Sequence, residues 1–538
     1  MQEQNTKKVS RWGSWLPTVS GVGGAALVVA LLTLLSRISG LIRVRIFASE
    51  FGAGEVLDMY YAGFRIPDFL MGVLIVGTLS IAALPVISQA LKKSDAEASK
   101  LVSVLLNYTF LGMVIVCALV ALAAPWLVRL VVPGFTDVQL VQVVLLTRII
   151  LVAQIFLALA NVMSATLNSV KRFFWAGFSP VLYNAGLIVG AVWLYPRFGI
   201  VGLGYGVLLG AVVHSTAQLI DFYRAGFSVN PSAWTLGTLR GVGKLYLPRL
   251  FTLDLSQVIL IVASVVGSHL AAGSISVFTL GFDIQAMPVG VFAFAVATAS
   301  FPYFAEHYSS ADASAFMRLL RESIVRILFY MTPVAIALLL LRAQAVRILY
   351  GAGQFGWDDT RATFEVLGVL AFSLIGQSLV PLFSRALLAR HKTWTPVLVN
   401  LLSMWIAIVA GYVLSGAHGI NGVAAAYVIG VSVNAAVLYV LVRNSLLEAA
   451  GTEAAVHAEE GNTLQLIGKV IVASAGFAVA LYGGLYAGSL VVNTHTWLGL
   501  VLQTAIASFC GGLVYLVIGA TSGLPDAKAL VGKVLKRA

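Results

Sequence analysis

Apolar stretches of about twenty residues or more recur along nearly the whole chain, near 20–48, 56–90, 99–131, 138–168, 176–195, 200–223, 241–271, 274–305, 315–342, 360–389, 395–415, 420–442, 463–489 and 497–520. Each is long enough for a helix to cross a hydrocarbon core roughly 30 Å thick. The stretches are continuous rather than alternating, so a membrane barrel is excluded. The pattern predicts an all-α polytopic membrane protein with about fourteen transmembrane helices. The first stretch follows the basic start "MQEQNTKKVSRWGSW" without a small-residue cleavage site, and is expected to be retained as helix 1.

The chain has 538 residues, of which 59% are hydrophobic and 10% charged, and its mean hydropathy is +0.95. These values exclude an ordinary soluble domain. Charge then orients the helices. Lys7, Lys8, Arg11, Lys92, Lys93, Lys171, Arg172, Arg240, Lys244, Arg318, Arg321, Arg390, Lys392, Lys533, Lys536 and Arg537 fall on one side, whereas Glu50, Glu55, Asp137, Asp358 and Asp359 fall on the other, with Arg197 the basic exception. The positive-inside rule places both termini in the cytoplasm. The net charge of +12 thus marks topology, and no nucleic-acid partner is expected. Cys117 and Cys510 stand alone in separate stretches, which excludes a disulfide framework and a thiolate metal site.

Sliding the chain against itself by about 217 positions reveals a repeat. "SPVLYN" (Ser179 to Asn184) returns as "TPVLVN" (Thr395 to Asn400), the approach to Pro85 returns before Pro302, and Arg129 meets Arg347. The expected division is an N-terminal lobe of helices 1–6 (15–228), a pseudo-symmetric C-terminal lobe of helices 7–12 (229–447), a polar linker (448–462), and two further helices (463–522). An even number of helices per repeat relates the lobes by an axis along the membrane normal.

Helix 1 carries Arg37, Arg43 and Arg45, and helix 2 carries Asp58, Tyr61 and Arg65 on one face. A mid-helix Arg costs about 2.5–3.5 kcal/mol on insertion scales, so such residues face a partner or a water-filled cavity. Snorkelling to the interface is an equal alternative for Arg45. A cationic cavity suits an anionic headgroup, and the planar guanidinium fork suits phosphate. In the second half the corresponding positions carry Asp254 and, next to the match for Arg65, Asp283. Asp254, Ser256 and Asp283 form a candidate coupling-ion site, with pairing of Asp254 to Arg249 or to a first-half arginine as the alternative. Gly and Pro in "FRIPDFLMG" and "QAMPVGVF" are expected to break or kink helices 2 and 8.

There is no GxxxxGK[ST] phosphate loop and no HExxH, and the seven histidines are scattered. A transporter is therefore expected rather than an enzyme, with no cofactor or metal beyond Na+ or H+ coupling or the membrane potential.

The stretch "SRISGLIRVRIFASEFGAGEVLDMYYAGFRIPDFL", followed in order by "APWLVRLVVPGF", "LNSVKRFFWAGFSPVLYN", "ILYGAGQF" and "ALLARHKTWTPV", resembles the MurJ (MviN) lipid II flippases of the MOP transporter superfamily. The resemblance covers helices 1 to 12. It implies two lobes around a cationic cavity that alternates access, a bacterial inner-membrane location, and export of an undecaprenyl-pyrophosphate-linked peptidoglycan precursor. It places Arg37, Arg43, Asp58 and Arg65 at substrate-binding positions. It also implies a hydrophobic groove, walled by helices 13 and 14, for the polyprenyl tail. The chain departs from the family pattern at Met71 and Gly72, where two arginines are usual, and at Val44, Val76 and Phe282-Asp283. Two alternatives stay open: a flippase for another lipid-linked oligosaccharide, and a cation-coupled small-molecule exporter of the same superfamily. The expected partners are the lipid-linked glycan precursor, membrane lipids and cell-wall synthesis proteins, and a functional monomer is expected.

Overall fold

The computed structural model describes residues 22–72, 79–234, 255–310, 312–450 and 453–535, and all regular structure among them is helical. Among the described residues eleven helices are long and apolar enough to span a membrane, and a bent pair makes twelve. Of the stretch expected as one helix over 56–90, the described parts are Glu55–Met71 and Leu79–Lys93, and of the stretch over 241–271 the described part is Leu255–Gly267. In the polar stretch expected as a linker, the described residues on either side of 451–452 are helical. Contacts divide the chain into two compact units, Met1–Leu253 and Asp254–Ala538.

The first unit contains α1 (Val22–Phe51), α2 (Glu55–Met71), α3 (Leu79–Lys93), α4 (Asp95–Val131), α5 (Asp137–Ser169), α6 (Phe174–Val189), α7 (Tyr195–Phe198) and α8 (Ile200–Arg224). Sequence signals set several ends. Ser94 caps α4 by accepting from the Glu97 amide at 3.1 Å, and Thr136 and Gln139 form a capping box at α5. Membrane helices gain little from burying apolar surface against one another, so close backbone approach carries the packing. Here α6 and α8 meet through glycines: a β-carbon on Gly186 would collide with the Gly210 backbone, and one on Gly190 would lie 2.7 Å from Gly206 Cα.

The second unit contains α9 (Leu255–Gly267), α10 (Ser274–Pro288), α11 (Phe294–Ser309), α12 (Ala313–Leu340), α13 (Arg342–Tyr350), α14 (Trp357–Leu370), α15 (Ser373–Ala389), α16 (Trp394–His418), α17 (Ile420–Ala450), α18 (Glu453–Val491), α19 (Trp497–Thr521) and α20 (Pro525–Leu535). The expected break in helix 8 is a π-helical turn, Val289–Ala293, directly after Pro288. In helix 2 the described α-helix runs to Met71, and Gly72 is π-helical. Each of these positions follows a proline, Pro288 directly and Pro67 five residues before Gly72. The pair α14 and α15 is bent by 45°. The two last spans are built into the core: Phe477, Leu481 and Tyr515 pack with Phe329, and the Tyr515 hydroxyl donates to the Phe329 carbonyl at 2.7 Å.

The repeat is visible in the backbone of each unit. Lys171 (φ 62°) after α5 corresponds to His391 (φ 60°) after α15, and Gly199 (φ 58°) corresponds to Gly419 (φ 54°). Gly202 lies against the Leu194 carbonyl as Gly422 lies against that of Leu414. These pairs share one interval, about 220 positions. "SPVLYN" and "TPVLVN" are therefore one helical turn out of structural register. Four residues bring round nearly the same helix face, which is why the shifted match looks convincing in sequence.

Candidate functional site

The first unit assembles the predicted charges on α1 and α2. Asp58 and Arg65 are buried, at 2% and 7% exposure, and Arg65 lies over the Tyr61 ring, 6.0 Å from its centroid. The three residues therefore form one face of α2, as their spacing requires. Helix α2 is held by α5: the Thr147 hydroxyl donates to the Gly63 carbonyl at 3.3 Å, and Gln139 Nε2 donates to Glu55 at 2.8 Å. Phe47 of α1 packs on Tyr60 of α2 with centroids 4.8 Å apart. On α1, Arg37 is exposed, while Arg43 and Arg45 are half-buried.

Five residues near this site, Ser39, Tyr60, Asp68, Tyr183 and Asn184, were not singled out by sequence reasoning. Asn184 of α6 donates to Ser39 of α1 at 2.8 Å, and Ser39 donates to the Ser36 carbonyl at 2.8 Å. Ser39 lies one turn from Arg43. Arg43 and Asp68 are within electrostatic range of the hydroxyls of Tyr60 and Tyr183. The signal for Asn184 was present in "SPVLYN", but only as a repeat marker. At the departures from the family pattern, Met71 is half-buried and Gly72 exposed, and a β-carbon on Gly72 would meet nothing within 4 Å.

The second unit treats its candidates differently. Asp254 lies outside the described residues. Asp283 is half-buried on α10. Ser256 of α9 is 3.4 Å from the Tyr427 hydroxyl, and Tyr427 packs on Phe282, the neighbour of Asp283, at 5.3 Å. Tyr427 of α17 thus connects the helices that carry Ser256 and Asp283. Among the described residues no three His, Cys, Asp or Glu side chains gather as a metal site.

The polar interior of this unit is amide-rich. Gln285 donates to Ser373 at 2.8 Å and to Gln377 at 2.6 Å, and Asn434 donates to Asn400 at 3.0 Å. Among the described residues Gln285 Oε1 and Asn434 Oδ1 are buried without a hydrogen-bond partner.

The same unit contains an apolar cavity of about 590 Å³ between α12, α15, α17 and α18, lined by Leu328, Leu379, Phe383, Tyr439, Ile467 and Ile471 among others. Helix 13 of the sequence reading, α18, forms one wall. Helix 14, α19, contributes no lining residue and instead braces α18, with Gly484 against Ala507.

A family model for the lipid II flippase MurJ matches residues 47–516. The chain is 28% identical over 428 residues to a probable lipid II flippase MurJ of Vibrio cholerae, covering 77% of this chain and 82% of the relative. Its fold superposes on a solved structure described as lipid II flippase MurJ in an inward closed conformation, with a TM-score of 0.71 and 23% identity, covering 92% of this chain and 98% of that one. A multidrug resistance MATE family transporter of the MOP superfamily, in an inward-facing conformation, aligns with a TM-score of 0.65 and 18% identity over 80% of this chain and 99% of the other. With a family match that runs from the end of α1 into α19, the chain belongs to the MurJ lipid II flippase family.

Proposed function

We propose that this protein is an alternating-access flippase that moves lipid II, an undecaprenyl-pyrophosphate-linked peptidoglycan precursor, from the cytoplasmic to the outer leaflet of a bacterial inner membrane. The observation that carries this reading is the burial of Asp58 and Arg65 on one face of α2, a helix that packs on the arginine-bearing α1 through Phe47 and Tyr60. Arg37, Arg43 and Arg65 grip the pyrophosphate, and Asp58 orients one of them. Carrying a pyrophosphate through bare hydrocarbon is prohibitive, whereas a wet cationic path replaces its hydration with charge-assisted hydrogen bonds. The tail has the opposite need. The apolar cavity beside α18 offers hydrocarbon-like burial and supports a path that keeps the polyprenyl chain out of water.

Both termini are cytoplasmic in this reading, and the protein works as a monomer that performs no bond chemistry. It acts next to cell-wall synthesis proteins. The half-buried carboxylate of Asp283, with Asp254 and Ser256, supports coupling to Na+ or H+; an unchanged cation and pH dependence of transport in Asp283→Asn overturns that part. A cation-coupled drug exporter would want a carboxylate-rich cavity, and the mid-helix charges of α1 are arginines.

The test is lipid II translocation by purified protein in proteoliposomes. Arg37→Ala and Arg65→Ala are expected to reduce the rate at least about tenfold, the loss of one charge-assisted phosphate contact. If the unaltered protein accelerates translocation of no pyrophosphate lipid, the reading is wrong.

A further inference from the structure

The C-terminal helix α20 carries positive charge that neither the headgroup site nor the apolar cavity uses. It follows α19 through a left-handed glycine, Gly523 (φ 89°). The turn is closed by the Leu524 amide donating to the Gly519 carbonyl at 2.8 Å and the Gly523 amide to that of Ala520 at 3.2 Å. Leu524 and Ala527 are buried in the main core of the second unit. Asp526 is paired with Arg326 of α12 at 3.1 Å. The helix is therefore fixed against the spans.

Two ammonium groups converge at this turn. A β-carbon on Gly523 would lie 3.8 Å from Lys528 Nζ and 3.9 Å from Lys469 Nζ. Lys528 comes from α20 and Lys469, a half-buried residue, from α18. The two charges are closer than a Debye length of about 8 Å, so they repel unless an anion sits between them. Among the described residues neither ammonium has an ion-pair or hydrogen-bond partner, since the neighbouring carboxylate, Asp526, is held by Arg326. Glycine leaves the space between them open.

The place of this gap decides what fills it. It lies at the end of α19, a 25-residue apolar span, beside a short helix whose outer face carries Leu530 and Lys533, both exposed. An apolar and basic face at the end of a span lies in the headgroup layer. We propose that Lys469 and Lys528, across Gly523, form a binding site for the phosphate of an anionic membrane phospholipid. Bound there, the lipid relieves the repulsion and anchors α20 and α18 together, one wall of the apolar cavity included. The site does not depend on the flippase reading, because it needs only a membrane-embedded chain.

The test is phospholipid binding to full-length protein in detergent, read by native mass spectrometry with phosphatidylglycerol and with phosphatidylcholine. Unaltered protein is expected to retain phosphatidylglycerol in preference to phosphatidylcholine, and Lys469→Gln/Lys528→Gln to bind it roughly tenfold more weakly, as expected for losing one to two lysines near an anionic surface. Lys533→Gln, which keeps both converging ammoniums, is expected to retain most of the binding. Melting temperature of the double variant, measured without lipid, checks that it is folded. Equal retention by the folded double variant overturns the proposal. Displacement of the lipid by millimolar inorganic phosphate also overturns it, because the site then reads the free anion.

Discussion

Asn184 Nδ2 donates to Ser39 Oγ at 2.8 Å, joining α6 to α1 one turn from Arg43. Inter-helix hydrogen bonds of this kind contribute modestly to stability in membranes, about 0.6 kcal/mol on average. Their larger effect is to set the rotation of a helix. Asn184→Leu is expected to leave the melting temperature within a few degrees of the unaltered protein while weakening lipid II binding several-fold. Ser39→Ala is expected to do the same, and the double variant to be no worse than either single one. Additive losses in a binding titration mean that the two residues act separately.

Arg172 and Asp221 make a two-point ion pair, at 2.5 Å and 3.4 Å, with the Asp221 side chain 3% exposed and that of Arg172 31%. Removing one partner of a buried pair strands the other charge, at a cost of about 3–5 kcal/mol. Arg172→Ala is expected to destabilise strongly in thermal melts, and Arg172→Ala/Asp221→Asn to recover most of the loss. A double variant as unstable as Arg172→Ala shows that packing of the arginine, and not the stranded carboxylate, carries the effect.

Gly186 faces the Gly210 backbone with no room for a β-carbon. Gly186→Val is expected to cost about 1–3 kcal/mol or more through overpacking between α6 and α8. Gly512→Ala, where a β-carbon would meet nothing within 4 Å, provides a control expected to be neutral or slightly stabilising. Comparable expression and melting of the two variants contradicts the close-packed interface.

Gly72 has helical φ and ψ of −58° and −45°, and open space around its β-carbon. The absence of an arginine there is thus a matter of chemistry and not of fit. Gly72→Arg is expected to fold and to bind a pyrophosphate lipid roughly fivefold more tightly, one net hydrogen bond. Tighter binding also slows release, so the translocation rate is expected to stay level or fall. Unchanged affinity places residue 72 away from the headgroup path.

The membrane class, nearly every span and the charged face of α2 were legible in sequence, because hydropathy and helical spacing are local properties read without knowing any neighbour. Asp58, Tyr61 and Arg65 share a face in any α-helix, so their grouping needed no fold. Proline marks the π-helical turn after Pro288 for the same reason. The stretch at 448–462 reads as a linker on its polar composition, which disfavours a membrane span but not a helix in water, and its described residues are helical.

Other features depend on which helices meet. Helix 5 shows an asparagine in sequence, but only the packing of α6 on α1 makes Asn184 a tether for the arginine helix. The repeat was plain in sequence and its register was not, since a one-turn shift preserves the helix face while the positive-φ turns at Lys171 and His391 mark the true correspondence. Lys469 and Lys528 lie far apart in the chain, and only folding brings them to one glycine. Composition and periodicity determined what each segment is and where its polar face lies; tertiary structure decided which faces touch, because partner choice rests on close backbone approach and on buried hydrogen bonds between distant residues.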